Sequence, residues 1–197
     1  MEISPSRLSR AVSMFVGPAL LLAGAPAAAA VSILGGGFGR DCYLAAEFKR
    51  ETRASLAVCS QALEAESLSR RDRAATHVNR GIIHMQARDL PRAIADYEAA
   101  IRLEPKLAEA HVNLGIALLH SGGRDREAVA ALTRGLEMNP SRPEVAFYSR
   151  AVANELLGNV RAAYEDYQAA AAARPEWTEP AEQLKRFSVE RRPTANS

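Results

Sequence analysis

The residues of this 197-residue chain whose types could do chemistry are few: two cysteines, four histidines, a short glycine run and scattered carboxylates. Cys42 and Cys59 alone supply fewer ligands than a metal site takes. His77 and His111 stand in the same register of successive copies of a repeat, roughly 9 Å apart by ordinary helix spacing, too far for one metal. His84 and His120 join no such cluster. Gly35, Gly36, Gly37 and Gly39 invite comparison with a phosphate loop, but Arg40 stands at the sixth place of G-x-G-x-x-G and no strand precedes it. Glu165 and Asp166 are adjacent and point to different faces of a helix. Arg70, Arg71 and Arg73 read as a polar connection. With no H-E-x-x-H, G-x-S-x-G or C-x-x-C pattern present, no catalytic residue, metal or cofactor is expected. What remains are Asn79 and Asn113, whose amides carry both a donor and an acceptor and can pair with a peptide backbone of any sequence.

The elements that position these asparagines repeat along the chain. Residues 74–105 hold two apolar-periodic runs, each long enough for a helix, broken by a turn at Arg88-Asp89-Leu90-Pro91. Pro105, Pro140 and Pro175 recur at a step of 35, as do Ala93, Ala128 and Ala163. Small residues recur in register: Gly81, Ala93 and Ala100; Gly115, Ala128 and Gly135; Ala151, Ala163 and Ala170. Beside them stand the large Tyr97, Leu132 and Tyr167. Two antiparallel helices approach closely only where facing positions lack bulk, and a large neighbour fills the groove.

Period and residue types resemble the tetratricopeptide repeat family, whose unit is roughly 34 residues. Departures are His77, His111 and Phe147 at a position often aromatic, and Arg88 where a turn glycine is usual. The resemblance implies an all-α fold, a right-handed superhelix of stacked antiparallel helix pairs. Three clear units are expected at 74–107, 108–142 and 143–177, a degenerate hairpin and connection at 41–73, and a capping helix at 178–188, with a disordered tail over 189–197. It also implies a concave groove lined by the first helix of each pair. Carried over residue by residue, that groove presents Val78, Asn79, Ile82 and Met85, then Val112, Asn113, Ile116 and Leu119, then Tyr148 and Val152. Asn79 and Asn113 match an asparagine ladder that binds extended peptides in some family members; the alternative is that asparagine here serves only the helix. Val78 and Val112 stand where the family's two-carboxylate clamp needs a cation, so that clamp is not expected. In the degenerate unit Cys42 and Cys59 fall on facing positions of a hairpin. They read as a disulfide in an exported protein, the alternative being two separate buried thiols.

Residues 1–30 read as a secretory signal: Arg7 and Arg10, an apolar run from Ala11 to Ala23 too short to span a membrane comfortably, and Ala28-Ala29-Ala30 as a cleavage site. Cleavage near Ala30 leaves a periplasmic or secreted protein with no membrane span, and residues 31–40 read as a flexible linker. A net charge of +2 is too small for a nucleic-acid footprint. The expected function is a non-catalytic adaptor whose groove binds an extended or helical segment of an envelope protein. The alternative is a self-associating homo-oligomer whose groove takes its own linker or a second chain, motivated by Val31, Ile33, Leu34 and Phe38, apolar for a spacer.

Overall fold

The computed structural model of the chain describes residues 2–5, 29–33, 36–48 and 52–190. They fall into two compact units, one within Ala27–Arg142 and one that joins Pro143 onward to the N-terminal strand. The sequence-assigned leader from residue 6 to 28 and the tail beyond 190 lie outside the described residues.

The first unit is three helical hairpins. Helices α1 (Phe38–Glu47) and α2 (Thr52–Ala65) form the degenerate pair. Next come α3 (Arg70–Gln86) with α4 (Leu90–Leu103), and α5 (Ala108–Ser121) with α6 (Asp125–Glu137). Their ends follow local chemistry. Ser69 accepts from the Asp72 N–H at 3.1 Å to start α3, and Asp89 accepts from the Arg92 N–H to start α4, with Pro91 in its first turn. The hairpin turns need a left-handed residue: Gly122 has φ 71° and, in the same register, Arg88 has φ 60°.

The core is made of the small-residue register. Ala93, Ala100, Ala128, Tyr97 and Leu132 are all fully buried. A Cβ on Gly81 would fall 2.5 Å from Tyr97 Cε1, and one on Gly115 would fall 2.5 Å from Leu132 Cγ. These two hairpins therefore close only because the first helix lacks a side chain where the second places its largest. The sulfurs of Cys42 and Cys59 lie 2.10 Å apart, joining α1 to α2 in the geometry of a disulfide.

The second unit holds α7 (Pro143–Leu156) and α8 (Val160–Ala173), with Gly158 at φ 76° in the turn. A short α9 (Glu179–Leu184) follows. The expected capping helix over 178–188 ends early. Phe187–Glu190 instead form β2, pairing antiparallel with β1 (Glu2–Pro5) so that Ile3 faces Val189. The sequence explains the switch: Phe187 and Val189 alternate with Ser188 and Glu190, a period of two. The Phe187 ring rests 5.6 Å from that of Tyr164 on α8.

A polar device missing from the sequence reading binds the hairpin helices together. Arg80 on α3 grips Asp96 on α4 through two hydrogen bonds of 2.8 and 2.9 Å. Arg150 on α7 grips Asp166 on α8 in the same way, at 2.7 and 2.9 Å. His84 and Asn154 share a register and face the same two carboxylates. The middle repeat replaces the whole set, with Leu114, Leu118 and Ala131 where the others carry Arg, His or Asn, and Asp.

Replacing Arg88 by glycine removes the left-handed strain of a side chain and is expected to raise stability by about 1 kcal/mol, net of glycine's own entropy, read as a higher urea midpoint. Asp96→Ala alone strands Arg80 and should lose about 3 kcal/mol. Combining it with Arg80→Leu and His84→Leu copies the middle repeat and should recover most of that loss in the same titration.

Candidate functional site

The two asparagines lie in the first unit, on facing helices of successive hairpins. Asn79 on α3 is fully buried and Asn113 on α5 is 1% exposed. Around them Val78, Ile82, Val112 and Leu119 are buried, while Met85 and Ile116 are half-buried. Against the two asparagines lies the chain's own segment of residues 29–33. The Asn79 Oδ1 accepts from the Val31 N–H at 2.8 Å, and its Nδ2 donates to the Val31 carbonyl at 2.8 Å. The Asn113 Nδ2 donates to the Ala29 carbonyl at 3.4 Å, and its Oδ1 is buried with no partner among the described residues.

One amide is thus fully engaged and the next only half. In an extended chain residues 29 and 31 present the same edge about 6.7 Å apart, whereas stacked helices are spaced about 9 Å. A strand in full register with Asn79 falls short at Asn113.

Side-chain packing adds to the amide contacts. Ala30 and Val31 pack against a core cluster that contains Val78, Ile82 and Ile83, and Ile33 is 7% exposed. Val31 and Ile33, read from sequence as part of a flexible spacer, are instead docked, because an apolar spacer beside an apolar groove gains by burial. Phe38–Arg40, assigned to the same spacer, are the first turn of α1. That turn is held from 28 residues away: the Glu66 carboxylate accepts from the N–H groups of Phe38 and Gly39, both at 2.9 Å. Gly37 suits that turn because its φ of 89° is a backbone conformation that side chains rarely adopt. The far end of the groove closes where Gln86 donates to the Ala46 carbonyl at 3.3 Å.

Tyr148 and Val152 belong to the other unit, each 8% exposed. Tyr148 packs edge-on to Tyr167 with ring centres 5.5 Å apart, and its ring lies 4.8 Å from Trp177. Trp177 escaped the sequence reading, although a lone tryptophan two residues after the closing Pro175 is its signal. Burial pushes the Tyr148 and Tyr167 phenols up. The Tyr167 hydroxyl donates to Glu155 Oε2 at 3.1 Å, and Arg186 also reaches that carboxylate. Glu155 is thereby committed to internal contacts.

A second polar cluster sits in the hairpin of α3 and α4. Leu56, Ser60, Arg80, His84, Arg92, Ala95 and Asp96 line a hollow of about 430 Å³. Burial raises the Asp96 carboxyl, but hydrogen bonds from His77 and Arg80 outweigh it and hold the group below its usual 3.8. Burial lowers His84 below 6.5 despite the pull of Asp96, and burial, aided by Arg88, lowers His120. Among the described residues no group of three or more His, Cys, Asp or Glu could hold a metal. No described helix is long and apolar enough to cross a membrane.

Residues 78–143 match the tetratricopeptide repeat family. Over that stretch the chain carries tetratricopeptide repeats. Superkiller complex protein 3 of Mus musculus and of Homo sapiens are each 32% identical over 91 residues, which is 46% of this chain but 6% of theirs. The chain thus spans a small fraction of the curated relatives it matches. Among solved structures, MamA superposes with a TM-score of 0.63 at 18% identity, over 77% of this chain and 82% of MamA. YrrB, described as a tetratricopeptide repeat protein with an unusual peptide-binding site, superposes with a TM-score of 0.60 at 19% identity, over 75% and 74%. The tetratricopeptide fold makes the domain a protein-interaction module.

The lowered histidines set a pH dependence. Above pH 6.5 both are neutral in folded and unfolded chains. As pH falls below 6.5 the unfolded chain binds protons that His84 and His120 resist, so stability drops. The Asp96 contribution is present above 3.8 and is lost as pH falls through its lower native value. His84→Asn, which installs the residue found at this register in the last repeat, should flatten part of the drop below pH 6.5 in urea titrations. The remainder belongs to His120.

Proposed function

We propose that this tetratricopeptide repeat domain is an exported, non-catalytic adaptor whose groove binds an extended segment of an envelope protein through Asn79 and Asn113. The observation that carries it is the pair of 2.8 Å hydrogen bonds between Asn79 and the backbone of Val31. It favours a main-chain mode of binding, because both of the amide's groups are spent on the backbone N–H and C=O of one residue and none on a side chain. The apolar walls formed by Val78, Ile82, Val112 and Leu119 favour a partner without charge at the contact. Export is supported by the leader-like first 30 residues, and by Cys42 and Cys59 held at bonding distance, since disulfides persist in oxidising compartments.

A second reading is also favoured by a specific observation. The same groove is covered by residues 29–33, so the domain could use its linker, or the linker of a second copy, to complete its own structure or to self-associate.

The two separate in intact cells. A photoreactive residue at Ile116, half-buried on the groove helix α5, is expected to yield adducts with one envelope protein, identified by mass spectrometry. Adducts only with the chain itself would overturn the adaptor and leave self-association.

A further inference from the structure

Resting on that reading of the groove, we infer that residues 29–33 are a built-in, displaceable competitor. The partner is then an uncharged extended peptide of similar pattern, with small residues at the places of Ala29 and Ala30, a β-branched residue at Val31 and a branched aliphatic at Ile33. The segment is a template for the ligand because it already shows the two modes of recognition. The backbone of Val31 is clamped by Asn79, the side chain of Ile33 is buried, and Ser32 between them faces solvent.

The segment is also a poor ligand, and in a particular place. Its contact with Asn113 is long, at 3.4 Å, and the buried Oδ1 of Asn113 finds no donor among the described residues. A buried acceptor left unpaired penalises the occupied state. A separate peptide, free to shift along the groove or bend between the two asparagines, can give the N–H that the tethered segment does not. The tether supplies the hinge. Gly36 has open space around it, and Gly37 takes a positive φ. Beyond them α1 stays anchored by Glu66, so residues 29–33 can leave without unseating the first hairpin. Because the competitor is covalently attached, its effective concentration is high even though its contacts are few.

The test uses the full chain and a dye-labelled peptide carrying residues 27–34, AAAAVSIL, followed by fluorescence anisotropy. Val31→Pro removes the N–H that Asn79 accepts and adds no charge. The Val31→Pro chain is expected to bind the peptide at least tenfold more tightly than the unaltered chain. Adding Asn79→Ala should abolish the gain, and a peptide with proline in place of its valine should not bind. In the unaltered chain, saturating peptide should speed hydrogen exchange at the Val31 amide, a readout that needs no substitution. If both chains bind the peptide equally and through Asn79, the groove stands as a peptide site and the competitor is overturned. If neither chain binds, with circular dichroism showing both folded, the groove reading falls as well.

Discussion

The closeness with which two helices of a hairpin can approach is the constraint on which the rest of this protein depends. Gly81 against Tyr97 and Gly115 against Leu132 leave no space for even one added carbon. That contact sets the depth of each hairpin and so the place of the next residues along its first helix. Asn79 and Asn113 stand two positions before those glycines in their own repeats. Their amides are aimed by the same packing that closes the hairpins. A groove made this way is placed by backbone packing, and residues 29–33 lie against its asparagines.

The hairpins share a shape but not an interior chemistry. In the first and last clear repeats an arginine and an aspartate meet across the pair with a third polar residue beside them. In the middle repeat two leucines and an alanine occupy the same register. Both solutions satisfy burial, one by pairing its charges through hydrogen bonds and the other by having none to pair. The mixed state, a single member removed, is the one disfavoured. This explains why the positions change together rather than one at a time. His84, which borders the polar set of the first clear repeat, brings with it a sensitivity to acid.

Each unit also uses a piece of the N-terminal stretch. Residues 29–33 lie in the groove of the first, and Glu2–Pro5 pair with Phe187–Glu190 in the second. A chain cut after Ala30 would retain Val31 and Ile33 but lose both Ala29, the partner of Asn113, and the strand that pairs with β2. Cleavage at that place would therefore change what the groove presents.

Much of the fold was legible in the sequence because its cause is local and periodic. The step of 35 residues, the alanines and glycines in register and the closing prolines specify helical hairpins, since only small residues let the helices meet. The facing cysteines were legible for the same reason, being placed by register. The Arg80–Asp96 pair left a trace in its recurrence as Arg150 and Asp166 at an equal separation of 16, but a spacing is silent about which side chains meet across a hairpin. The occupant of the groove was decided only by tertiary structure. Val31 finds Asn79 across 48 residues and Ala29 finds Asn113 across 84, with no period linking them. Amides that accept any backbone leave no mark on the sequence of what they bind; only folding, which brings an apolar linker beside an apolar groove, determines that they bind their own chain.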